Sequence, residues 1–117
     1  MQVVIKLFRR TFYLSFLNLF LLSCSTPEQR IVNKTKAYTV QIRQMQFQPA
    51  ELTVGIGDTV VFVNRDLFVH DVTEEVSKAW SSSPMPPGST WKKIVTEDAD
   101  YYCSIHVVMK GKLLVRK

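Results

Sequence analysis

The sequence predicts an all-β fold, a Greek-key β-sandwich of about seven strands occupying residues 37–117. Three observations carry that reading. Apolar and polar residues alternate over short runs, turn-forming residues separate those runs at regular intervals, and helical periodicity is almost absent beyond residue 36.

Taken in order, Tyr38, Val40 and Ile42 alternate with Thr39, Gln41 and Arg43, as a strand with one buried face requires. Phe47-Gln48-Pro49-Ala50 is a break, and Glu51–Val54 resumes the alternation. Gly55-Ile56-Gly57-Asp58 turns the chain into Thr59–Val63, a β-branched and aromatic run short enough for a strand buried on both faces. Asn64-Arg65-Asp66 ends that run, and His70–Thr73 is a short extended piece. Residues 81–88 hold three prolines and a glycine and are expected to be loop, with a helical turn at Trp80–Ser83. Strands return at Thr90–Thr96, Ala99–Cys103 and Lys112–Arg116. The pattern implies an antiparallel sandwich of about 80 residues, a size at which the core is marginal and a metal bound only by the native state stabilises it.

The first 36 residues have a different character. Lys6, Arg9 and Arg10 precede the apolar run Thr11–Leu22, the layout of a secretory signal over residues 1–23. Leu21-Leu22-Ser23-Cys24 resembles the lipobox of bacterial lipoproteins, which implies lipid attachment at Cys24 and a place in the cell envelope. The route of export, general or twin-arginine, stays open. Residues 24–36 are polar and aperiodic and read as a tether, able to extend about 40 Å. Without the signal, twelve basic residues face ten acidic ones, so the formal +5 falls to near +2. No basic run interleaved with aromatics remains, which argues against nucleic-acid binding.

Chemistry concentrates in Tyr101–Gly111. Cys103, His106 and Met109 stand at three-residue intervals just past a strand. Thiolate and thioether are soft donors that favour Cu(I), imidazole suits both oxidation states, and a trigonal His₂Cys set with a weak axial Met is a blue-copper arrangement. The chain has one other histidine, His70, which must supply the second imidazole. The lone His106 three residues after a single cysteine excludes a c-type haem attachment, and a structural zinc site has no use for Met109. With Cys24 in the lipobox and Cys103 in this cluster, neither cysteine is expected to pair.

Together, Phe47–Val54, Gly57–Asn64, His70 and Tyr102-Cys103-x-x-His106-x-x-Met109-Lys110-Gly111 resemble the cupredoxins of the plastocyanin and amicyanin type, in order, across residues 37–117. The two-residue gap between His106 and Met109 is the amicyanin-like spacing. The resemblance implies one type 1 copper held by His70, Cys103, His106 and Met109. It also implies a tie between the loops through Asp71 and Ser104, where the family often has Asn in place of Asp71, with Asn64 part of the supporting framework. Val107 stands where the family often has proline. His106 is implied to be the exposed ligand, framed by Leu67, Phe68, Pro86 and Val107 as the electron-transfer edge. The function so implied is single-electron transfer between redox proteins by a monomer, with no small-molecule substrate and no catalysis. Copper storage or delivery is the alternative, disfavoured because the chain beyond residue 24 offers few methionines besides Met109 (Met45 and Met85).

Overall fold

The computed structural model describes residues 34–117. The expected signal, Cys24 and the tether up to residue 33 lie outside the described residues. Eight strands follow one another without a helix among the described residues: β1 (Ala37–Arg43), β2 (Gln46–Gln48), β3 (Glu51–Val54), β4 (Thr59–Asn64), β5 (Thr73–Glu74), β6 (Thr90–Ile94), β7 (Ala99–Tyr102) and β8 (Lys110–Val115). They form two four-stranded sheets, ordered β2-β1-β4-β6 and β3-β8-β7-β5.

The sandwich is therefore as expected, but it is not purely antiparallel. β1 lies parallel to β4, with Ala37 opposite Thr59 and Ile42 opposite Asn64, and β3 lies parallel to β8, with Glu51 opposite Lys112. Alternation along a strand reports which face is buried and is blind to the direction of its neighbour. Here β3 departs to the second sheet after the β1–β2 hairpin, so β4 re-enters the first sheet beside β1 in the same direction. The second correction concerns Trp80–Ser83. Ser81 bridges Thr73 in extended conformation, the Ser82 amide donates to the Val72 carbonyl, and the Ser82 hydroxyl accepts from the Val72 amide at 2.9 Å. Serine side chains that satisfy neighbouring backbone in this way support an extended segment at the expense of a helical one.

The inward faces meet in a core of Val40, Ile42, Phe47, Val54, Val60, Phe62, Tyr101 and Leu113. Phe47 and Phe62 both present edges to Tyr101, with centroids 4.8 and 5.4 Å away and interplanar angles of 73° and 82°. Such edge-to-face pairs add about 0.5–1.5 kcal/mol each beyond their buried area. Tyr101 sits where it does because its cross-strand partner is Gly111. A Cβ at that glycine would lie 2.2 Å from the tyrosine ring, so no larger residue fits. Burial also holds the Tyr101 phenol well above its ordinary pKa.

Strand direction decides where chemistry can occur. β4 ends at Asn64, β7 at Tyr102, and β8 begins at Lys110, all at one end of the sandwich. The loops 65–72, 84–89 and 103–109 gather there. The opposite end is closed by the turn Gly55–Asp58, where the Asp58 carboxylate accepts the amides of Gly55 (2.7 Å) and Lys36 (2.8 Å) and Gly57 adopts φ 85°.

On the flank, Glu74 in β5 organises residues 75–79. Its carboxylate accepts the Ser77 hydroxyl (2.6 Å) and the amides of Val76 (2.7 Å), Ser77 (2.8 Å) and Ala79 (3.3 Å). The Ser77 hydroxyl, followed by those amides, lowers the Glu74 pKa from 4.5 to about 2. A carboxylate with a depressed folded-state pKa contributes its stability above the unfolded value and loses it as pH falls through the folded one. The stability advantage of the wild type over Glu74→Gln, measured by urea unfolding, is thus expected to be full at neutral pH and to shrink between about pH 4.5 and about pH 2. A difference that stays constant across that interval would show that the carboxylate charge is not what holds the loop.

Candidate metal centre

Three side chains from two loops converge at the strand-end pole. His70 follows β4 and is fully buried, its backbone paired in both directions with Met85. Cys103 follows β7 and is also fully buried, with a free thiol. His106 is half-buried in the loop before β8. The loop closes on itself, with the Cys103 amide donating to the Met109 carbonyl (3.1 Å) and the Met109 amide to the His106 carbonyl (3.0 Å).

Cys103 Sγ lies 3.9 Å from His70 Nδ1 and 3.8 Å from His106 Nδ1, and the two Nδ1 atoms are 3.2 Å apart. A circle through these three atoms has a radius of about 2.1 Å, within the roughly 2.0–2.3 Å bond lengths that imidazole and thiolate make to a small transition-metal ion. The three donors would therefore fit one small transition-metal ion among them. Met109 is buried in the same core cluster as Cys103.

The plastocyanin/azurin family model of copper-binding proteins matches residues 34–116. The chain belongs to this family. Copper is its cofactor. An amicyanin from Paracoccus denitrificans is 33% identical over 85 residues, covering 68% of this chain and 65% of the relative, and one from Paracoccus versutus is 28% identical, covering 68% and 64%. The chain thus spans somewhat less than two thirds of the curated relatives it matches. Among solved structures, a reduced amicyanin variant superposes with TM-score 0.64 at 31% identity, covering 68% of this chain and 82% of that one. A copper-containing nitrite reductase from Thermus scotoductus gives TM-score 0.64 at 28% identity, but the match covers 69% of this chain and only 22% of the reductase.

Around the three donors, this cupredoxin has two carboxylates in different roles. The Asp71 carboxylate accepts the Ser104 amide at 2.6 Å and the Ser104 hydroxyl, so the expected tie between the loops is present. The Asp71 amide also donates toward Cys103 Sγ at 3.4 Å, a contact that draws electron density from the sulfur. Asn64 acts one step further back. Its side-chain amide donates to the Phe68 and Met85 carbonyls (2.8 and 2.9 Å), and its Oδ1 accepts the Asp66 amide (2.9 Å).

Asp66 escaped sequence reasoning. Its Oδ2 lies 3.0 Å from His70 Nε2, an acceptor that favours the ring proton on that nitrogen, with Nδ1 toward the other donors. Its spacing, four residues before the histidine and two after Asn64, was the available signal. Met85, buried and paired with His70, was also missed; a lone apolar residue between Pro84 and Pro86 marked it.

The ligand loops carry a rim of exposed apolar residues. Leu67, Phe68, Pro86 and Val107 are exposed, and Val69, Ile105 and Val108 join them. The Asp71 carboxylate places negative charge beside the copper, which favours the more positive oxidation state. Asp71→Asn is therefore expected to raise the reduction potential by roughly tens of millivolts, where 59 mV is a tenfold change in a one-electron equilibrium. Protein-film voltammetry measures it, and an unchanged or lower potential would contradict the role given to this charge.

Proposed function

We propose that this chain is a one-electron carrier whose single type 1 copper would be held by His70, Cys103, His106 and Met109. The observation that carries the reading is the convergence of one cysteine sulfur and two Nδ1 atoms around a point about 2.1 Å from each. When bound, copper supplies a one-electron couple at that point. The residues do the rest. Cys103 presents a sulfur whose electron density the Asp71 amide draws on, and the two sheets fix the loops so that ligand positions need not change with charge.

The burial pattern supports a carrier over a storage or delivery protein. His70 and Cys103 are inaccessible, so the ion has little route for exchange with an incoming chelator. His106 alone is half-buried, in a loop whose neighbours Ile105, Val107 and Val108 are exposed. Such an apolar rim, completed by Leu67, Phe68 and Pro86, suits brief docking with redox proteins, and His106 is the edge through which the electron enters and leaves. The chain has two histidines, and this assignment uses both, so a second, catalytic copper of the nitrite reductase kind has no imidazole left in this chain. We read the chain as a non-enzyme for that reason.

The N-terminal sequence supports export with lipid attachment at Cys24, which places the domain in the cell envelope on a tether reaching residue 36. The copper reading is tested by colour. Loaded with Cu(II), the full chain is expected to be intensely blue, with a strong thiolate charge-transfer band at the red end of the visible spectrum that Cys103→Ser abolishes. Tight Cu(II) binding without that band would overturn the carrier assignment.

A further inference from the structure

The hairpin joining β1 to β2 has a two-residue turn, Gln44-Met45, and both residues sit in the left-handed region, at φ 54° and 58°. Turns of this shape favour Asn-Gly, Asp-Gly or Gly-Gly, because side chains with a Cβ resist positive φ. Neither Gln44 nor Met45 has that preference, so something else must hold the turn.

What holds it is Asp66. Its Oδ1 accepts the Gln44 amide at 3.3 Å and its Oδ2 the Met45 amide at 2.9 Å, across 22 and 21 residues of sequence. The same Oδ2 accepts His70 Nε2 at 3.0 Å. The Asp66 backbone is fixed in turn by its amide donating to Asn64 Oδ1. One carboxylate thus receives three N–H groups, two from a turn on the neighbouring hairpin and one from a buried imidazole.

We propose that Asp66 is a positioning residue that presets His70 before any metal arrives, and that the Gln44-Met45 turn is the clamp that aims its carboxylate. The inference rests on the reading of His70 as a ligand. The turn amides point the carboxylate at Nε2, the carboxylate keeps the ring proton there, and Nδ1 is left as a bare lone pair facing Cys103 Sγ. Because the two turn amides are satisfied only by Asp66, the unfavourable backbone of Gln44 and Met45 and the orientation of His70 form one cooperative unit. The turn acts through its N–H groups, and the side chains of Gln44 and Met45 have no part in it.

Long-range ¹⁵N NMR of the metal-free full chain in detergent micelles tests this apart from the copper reading, since no metal is present. Wild type is expected to show His70 as a single Nε2–H tautomer and slow hydrogen exchange at the Gln44 and Met45 amides. Asp66→Leu is expected to give mixed tautomers, fast exchange at both amides and Cu(I) binding weaker by about 10- to 100-fold. Should that variant not fold, Asp66→Asn keeps the shape with one acceptor oxygen. It is expected to lose protection at one turn amide at least and to shift the His70 Nε2–H resonance. Met45→Gly keeps the amide and is expected to leave the tautomer unchanged. A single Nε2–H tautomer with both amides still protected in Asp66→Leu or Asp66→Asn would overturn the proposal. A tautomer change in Met45→Gly would overturn the clamp.

Discussion

The centre depends on one clasp between two loops that lie 33 residues apart in the chain. Asp71, next to His70, binds the Ser104 amide and hydroxyl with its carboxylate and directs its own amide at Cys103 Sγ. Three donor atoms, none more than 3.9 Å from the next, crowd around one point. Such a cluster persists only where the surrounding structure over-determines it. Here the constraint is built from outside inward. The two sheets bring strand ends to one pole, Asn64 and Met85 hold the His70 segment, and Asp71 then locks that segment to the cysteine loop.

How much of this was legible in the sequence depended on whether the signal was local. The strands were readable because burial of one face imposes a period of two, and β4 was readable as an apolar run with four of its six residues buried and the other two half-buried. The ligands were readable because soft and borderline donors at Cys103, His106 and Met109 are chemically specific together, and His70 was the one remaining imidazole. Sheet direction was not readable, since β1 beside β4 and β3 beside β8 are pairings between distant segments whose side-chain patterns look the same either way. Asp66 was hidden for a related reason. Its partners are backbone amides of Gln44 and Met45, and backbone groups leave no mark on residue identity. The sequence at that turn in fact argues against the conformation it adopts. Such local disagreements concentrate at functional sites, where the surrounding structure compensates for them.

The same scaffold superposes on a small amicyanin and on a fraction of a nitrite reductase. Fold likeness therefore leaves the role of a copper open, and the site must decide it. In this chain two donors are fully buried and one is half-buried within an apolar rim. That asymmetry is the observation behind the proposed carrier role, and it argues against copper delivery.

The central claim is that the protein, and not the metal, sets the donor geometry. Crystal structures of the metal-free, Cu(I) and Cu(II) forms test it directly. The account predicts that Cys103 Sγ, His70 Nδ1 and His106 Nδ1 keep their mutual positions to within about 0.5 Å in all three. A donor that swings away by more than about 1 Å when copper is removed would contradict it.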